Sequence, residues 1–156
     1  MELTKNGVTI SVEKYLLFDL ALAHAIGGRP SELRQPSTVL AIPRLNDGEH
    51  YAGIIIGKDG ASSHHLILLP GEAKDLNWEK AKEWATEQGG QLPTRREQAL
   101  LYANLPEQFK PEWHWSCEQH AASSDSAWMQ LFGYGLQGFD LKSNHYRARA
   151  VRRLVI

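Results

Sequence analysis

The chain has 156 residues, 42% of them apolar and 22% charged, with a formal net charge of −1 and a single cysteine. That length fits one domain with a proper core. The near-neutral charge excludes a global electrostatic drive toward nucleic acid or a membrane surface, and one cysteine excludes an internal disulfide.

Apolar runs are short, as in LILL at 66–69, so no membrane span is expected. The start, MELTKNGVTISVEK, has no apolar stretch after a basic opening, so no secretory signal is expected. Cytoplasmic synthesis in a reducing compartment is the resulting expectation. Release by lysis or assembly into a particle would leave no mark in the sequence.

In chain order, VTISV (8–12) alternates like a short strand. EKYLLFDLALAHAI (13–26) is rich in helix formers, apolar nearly all round, and stops at Gly27, Gly28 and Pro30. Such a helix is normally buried, or else docks a second subunit, so the helix from Tyr15 to Ile26 leaves a homo-oligomer open. GGRPSELRQPS (27–37) has linker composition. It divides the chain into an N-terminal strand–helix extension, residues 1–37, and a second domain, residues 38–156.

STVLAIP (37–43), YAGIIIG (51–57) and HHLILLP (64–70) read as strands, the last two joined by an Asp59-Gly60 hairpin turn. Asn77 caps a helix whose Trp78, Ala81, Trp84 and Ala85 form one stripe and which ends at Gly89-Gly90. Pro93 blocks its continuation, and Thr94 with Glu97 makes a capping box for a second helix beginning at Arg95. Ala99, Leu100 and Tyr102 are its expected buried positions, and Pro106 closes it. The last third is β-rich: AWMQLF (127–132) and HYRARAVRRLVI (145–156) alternate, with the glycine-rich GYGLQGFDLKSN between them. Two helices between two sets of strands define an α+β chain.

From about Trp78 to Arg153 the motifs W-x-x-A, GG-x-LPT-x-x-E, W-x-W-S, AW-x-x-x-F and R-A-R-x-VRR occur in that order. In combination they resemble the C-type-lectin-like fold of the branch shared with formylglycine-generating enzymes. In particular they resemble variable proteins of diversity-generating retroelements and related phage or prophage proteins. The resemblance covers about half the chain and implies two helices with a mostly antiparallel, twisted sheet. It makes Trp78, Ala81, Leu92, Pro93, Glu97, Trp115, Trp128, Arg149 and Val151 framework. It implies non-catalytic recognition of a protein or surface glycan. An alternative within the same fold is a phage-encoded intracellular inhibitor of a host protein complex.

Period-two alternation puts Trp128, Gln130 and Phe132 on one face and Met129, Leu131 and Gly133 on the other. The larger apolar area of Trp and Phe assigns the first set inward. The expected ligand-binding residues are then Met129, Leu131, Tyr134, Leu136, Phe139, Asp140, Leu141, Ser143, Asn144, His145 and Tyr146. The competing reading is a second layer that covers the apolar ones. The resemblance adds that retroelements diversify asparagine codons at their adenines. Every residue of this set except Met129 is a type that such codons yield, as are Gly133 and Gly138.

No metal, cofactor or catalytic group is expected. His114, Cys117 and His120 have zinc-like spacing but no evident fourth ligand. Cys117 with His120 lacks an orienting carboxylate, and formylglycine-generating enzymes use two cysteines where this chain has one. His64 and His65 point to opposite faces of a strand. The carboxylate–amide triplets of calcium-type lectins are absent, and only SSDS (123–126) suits a hard cation. Arg147, Arg149, Arg152 and Arg153 form the basic cluster. Salt bridges to the helices' glutamates are expected for it rather than nucleic acid.

Overall fold

The computed structural model describes residues 2–5, 8–11 and 42–156. The chain divides into two compact units, residues 1–41 and 42–156. In the first, β1 (Glu2–Lys5) pairs antiparallel with β2 (Val8–Ser11), Glu2 opposite Ser11 and Lys5 opposite Val8. The strand expected at 8–12 is β2; β1 was not anticipated. The 13–26 helix lies outside the described residues, as do residues 37–41 of the strand expected at 37–43. Ile42 and Pro43 belong to no strand.

The second unit is α+β, with two helices and mostly antiparallel sheets. Antiparallel pairs join β3 (His50–Ile55), β4 (His64–Leu68) and β10 (Val151–Val155) in the order β10-β4-β3. The β3–β4 connection turns where expected, with Asp59 and Gly60 at φ 53° and 84° and Ala61 N donating to Lys58 O at 2.9 Å. Positive φ at both central residues matches the twist of a hairpin.

A second sheet has the order β5-β9-β6-β7-β8. Its strands are β5 (Ala73–Leu76), β6 (Trp113–Gln119), β7 (Ser126–Leu131), β8 (Leu136–Leu141) and β9 (Tyr146–Ala148). The β6–β9 pair is parallel, with His114 opposite Arg147; the other pairs are antiparallel.

Helix α1 (Trp78–Glu87) begins where the Asn77 side chain accepts from Lys80 N. It packs against β5, β6 and β9. Trp78, Ala81 and Ala85 bury with Leu92, Trp115, Ala127, Met129 and Ala148 in one core. Both indole N–H groups in that core are satisfied, Trp78 on Ser116 O (2.7 Å) and Trp115 on Leu76 O (2.9 Å).

Helix α2 (Arg95–Asn104) starts on the expected capping box. Thr94 Oγ1 accepts from Glu97 N, and Glu97 Oε2 accepts from Thr94 N. It contacts β3, β6 and β7, so it lies between the sheets. Its inward positions differ from those expected: Glu97, Gln98 and Leu101 are buried, Leu100 and Tyr102 half-buried, and Ala99 exposed. A helix between two layers turns polar groups inward when they find partners there, and Gln98 Nε2 finds His114 O at 3.0 Å. Leu101 joins Ala52, Leu66, Leu68, Phe109, Phe132 and Val151 in the second core.

The strand expected at 145–156 is two strands. Residues 146–148 join the five-stranded sheet and residues 151–155 the three-stranded one. The alternation read across 145–156 therefore does not run through one strand, and the four arginines of the basic cluster are divided between two sheets and the short link that joins them.

A candidate recognition edge on β7 and β8

Strand β7 has core on both sides, so side-chain size alone does not choose its inward face. Met129 is 6% exposed and packs with Trp115 and the α1 core, which overturns its assignment to an outward binding set. Leu131 is half-buried. On the opposite face Gln130 and Phe132 are buried, and Trp128 is only half-buried.

The apolar surface lies one strand further out, on β8, which forms an edge of the five-stranded sheet. Tyr134 is 77% exposed in the turn leading into β8, and Leu136, Phe139 and Leu141 are 58%, 51% and 50% exposed along it. Leu136 stands opposite Leu131, and Phe139 stands opposite Trp128. Period two then places Leu136 on the α1 side of the sheet and Phe139 and Leu141 on the α2 side. The expected residues thus share an edge but not a face. Gly138 lies between them under Trp113; a Cβ there would sit 3.1 Å from the indole.

Asp140 and Tyr146 are braces. Asp140 Oδ2 accepts from the Tyr146 hydroxyl at 2.5 Å and from Asn144 Nδ2 at 2.8 Å, and Oδ1 accepts from Leu141 N at 2.8 Å. These bonds, the tyrosine's first, hold the carboxyl below its ordinary range. Burial, then Asp140, pushes the Tyr146 hydroxyl up to about 12. The Tyr146 ring stands edge-on to Trp115 at 5.0 Å. Ser143, Asn144 and His145 are exposed. His145 and Tyr146 line a depression of about 390 Å³ with Trp113, Arg147, Lys74, Asp75 and Glu112.

The α2 side of the edge carries groups outside the expected ligand-binding set, among them Trp128, which the resemblance made framework. Arg95 lays its guanidinium over Trp128, 3.5 Å from the ring centroid. Phe139 packs against Trp128 at 5.4 Å and stacks on His120 at 4.0 Å. Gln137 Oε1 accepts from Arg95 Nε at 3.1 Å, while its Nε2 donates to Arg95 O (2.7 Å) and Gln130 Oε1 (3.0 Å). Glu118 Oε1 accepts from Arg95 N at 2.8 Å. A depression of about 470 Å³ opens here, lined by Arg95, Arg96, Ala99, Glu118, Gln130, Gly135 and Gln137. The available sequence signal was Gln130, a polar residue on the face read as inward, and Gln137 is its cross-strand neighbour in the β7–β8 hairpin.

The four arginines of the basic cluster are structural, though among the described residues only Arg153 of them pairs with a helix glutamate. Its Nε and Nη2 donate to Glu97 at 2.6 and 2.7 Å, and His64 Nε2 lies 2.8 Å from Glu97 Oε1. Burial raises the Glu97 pKa, but Arg153, Thr94 N and His64 more than offset it, and the net shift is downward. Arg152 forks onto Glu49, whose carboxyl it holds down at about 2. Arg147 bridges Glu72 and Glu112. Arg149 donates to the Gln108 and Leu69 carbonyls.

His114 is buried edge-on to Phe109 and Phe132, and burial lowers its pKa. His120 is engaged elsewhere, on Phe139. Among the described residues no three His, Cys, Asp or Glu side chains converge as metal ligands. Burial pushes the Cys117 thiol up to about 11. No helix among the described residues is long and apolar enough to cross a membrane. No protein-family model matches the chain, and no curated protein matches it in sequence.

Proposed function

We propose that this chain is a non-catalytic recognition protein with a C-type-lectin-like architecture, similar in kind to retroelement variable proteins and related phage proteins. It binds a protein or surface glycan through its C-terminal edge. The observation that carries this reading is the row Tyr134, Leu136, Phe139 and Leu141, each at least half exposed on or beside one edge strand. Isolated exposed apolar residues are ordinary, whereas four on the two faces of one edge strand and its turn mark an edge that suits a partner. Among the described residues no strand pairs with the outer side of β8, and such an edge offers main-chain hydrogen bonds to a partner. The state of Cys117 supports a non-catalytic role: half-buried, with its pKa near 11, it is a neutral thiol at physiological pH.

The test is capture with immobilised protein from cell lysate and from intact cell surfaces. Wild type is compared with a Tyr134→Ala/Leu136→Ala/Phe139→Ala variant of matched melting temperature. Tyr146 stays in place, because its bond to Asp140 is part of the frame. Loss of a reproducibly captured ligand in the variant supports the reading. Undiminished capture places binding elsewhere and sinks it.

A further inference from the structure

We infer that the depression beside Arg95 is a carboxylate subsite of the recognition edge, built to take an acidic side chain from an extended segment of a protein partner. The inference deepens the function proposed above and rests on it.

The argument begins with where the positive charges go. Arg147, Arg152 and Arg153 each hold a carboxylate, and buried Arg149 is spent on two carbonyls. Arg95 differs. Its Nε is tied to Gln137 and its plane is pressed on Trp128, yet among the described residues neither Nη has a hydrogen-bond partner and no carboxylate lies within ion-pair distance. Neighbouring Arg96 donates only to the Ile56 carbonyl and is likewise without an acid.

An exposed arginine normally loses several rotatable bonds' worth of freedom when it binds. Here the stacking and the Gln137 bond have already fixed the plane, with the two-pronged end free. A guanidinium so held matches a carboxylate in two parallel hydrogen bonds, with much of the ordering cost already met.

The helix end does not supply this affinity. The α2 N-terminus is already occupied by Thr94, by Glu97 and by Glu118, which accepts from Arg95 N. Glu118 also sets the charge of the ligand. With Arg95, Arg96 and Glu118 lining the depression, the balance is +1 (two cations against one anion). That suits a single carboxylate and disfavours a phosphate dianion.

The surroundings favour a peptide over a sugar. Trp128 already carries Arg95 across one face, and Phe139 carries His120 on one of its faces. Flat ring surface for stacking a pyranose is thereby reduced. What stands exposed on the same face of the edge strand as Gln137 is Phe139 and Leu141. A segment with one Glu or Asp flanked by aliphatic residues fits both halves.

The experiment follows binding in the full chain by NMR, through the Arg95 side-chain Nε–H signal and the backbone amides of Glu118 and Gln137, which the Arg95 variants keep. The probes are the capped peptide Leu-Val-Glu-Val-Leu, its Gln counterpart, N-acetylneuraminic acid and inorganic phosphate. The expected result is saturable binding of the Glu peptide, weakened about tenfold or more for the Gln peptide and for the Arg95→Gln protein. Arg95→Lys, which keeps the charge and loses the fork, falls between them. Melting curves confirm that each variant is folded, and the backbone bonds of residue 95 survive either substitution.

Equal binding of the Glu and Gln peptides, no response at Arg95, or preference for phosphate or the acidic sugar overturns the inference. Failure here is separable from failure of the broader reading. If Arg95→Gln captures the cellular ligand normally while the Tyr134/Leu136/Phe139 variant does not, the edge stands and the carboxylate subsite falls.

Discussion

Arg95 and Glu97 are two residues apart in the first turn of α2, and their charges are treated in opposite ways. Glu97 is 1% exposed and gathers Thr94 N, His64 and the Arg153 fork around it. Arg95 is held by neutral groups and a ring, and no acid of the described chain pairs with its guanidinium. A buried charge whose partners come from its own chain is part of the frame, because removing one member strands the others. A charge fixed in place without a counter-ion contributes little to the frame and is open to an outside group.

The sharpest way to break this contrast is Glu97→Ala. It leaves Arg153 and His64 facing an empty, desolvated site and should cost about 3–5 kcal/mol, read from urea unfolding. A loss below about 1 kcal/mol would remove the structural half of the comparison.

Next in size, Met129→Ala opens a cavity against Trp115 and should cost about 2–4 kcal/mol in the same assay. That would separate the buried β7 residue from the exposed β8 ones.

A third test uses acid. The folded-state pKa of Glu97 is depressed, so its contribution to stability is present above its ordinary value of 4.5 and is lost as pH falls through the folded pKa. Glu97→Gln should therefore flatten the acid limb of the stability–pH curve relative to wild type, and an unchanged limb would count against the pairing.

Arg95→Gln should cost about 1–2 kcal/mol, the weight of one exposed cation–π contact and one part-exposed hydrogen bond from a charged donor. A cost near that of Glu97→Ala would make Arg95 a frame residue after all. Smallest of all, Tyr134→Ala should leave stability within about 0.5 kcal/mol of wild type, checked by the same unfolding curves.

What could be read from the sequence was local. The Asp59-Gly60 turn, the Asn77 cap and the Thr94–Glu97 box each depend on residues within four positions, and each formed as expected. The surface of β7 could not be read, because alternation names two faces without saying that helices cover both. β5 escaped because AKDL offers an apolar residue only at each end, and its ladder to β9 is interrupted between Ala73 and Leu76. The break at 149–150 was hidden by arginines that continue the alternation across it. Arg95 was invisible as a site because what fixes it, Trp128 and Gln137, lies more than thirty residues along the chain. The edge residues themselves were mostly named in advance. Tyr134, Leu136, Phe139 and Leu141 stand exposed, whereas Asp140 and Tyr146 brace one another.

The position of β9 has a consequence for refolding. Its three residues fill the gap between β5 and β6, and β10 then completes the other sheet against β4. The β6–β7–β8 meander can pair as local hairpins, whereas β5, β9, β4 and β10 meet only across long stretches of chain. The exposed edge is therefore made early, and the seam beneath it closes late. Long-range closure of this kind is slow, and a chain waiting for it exposes apolar strand to its neighbours. Refolding yield is thus expected to fall with protein concentration, independent of how stable the finished fold is.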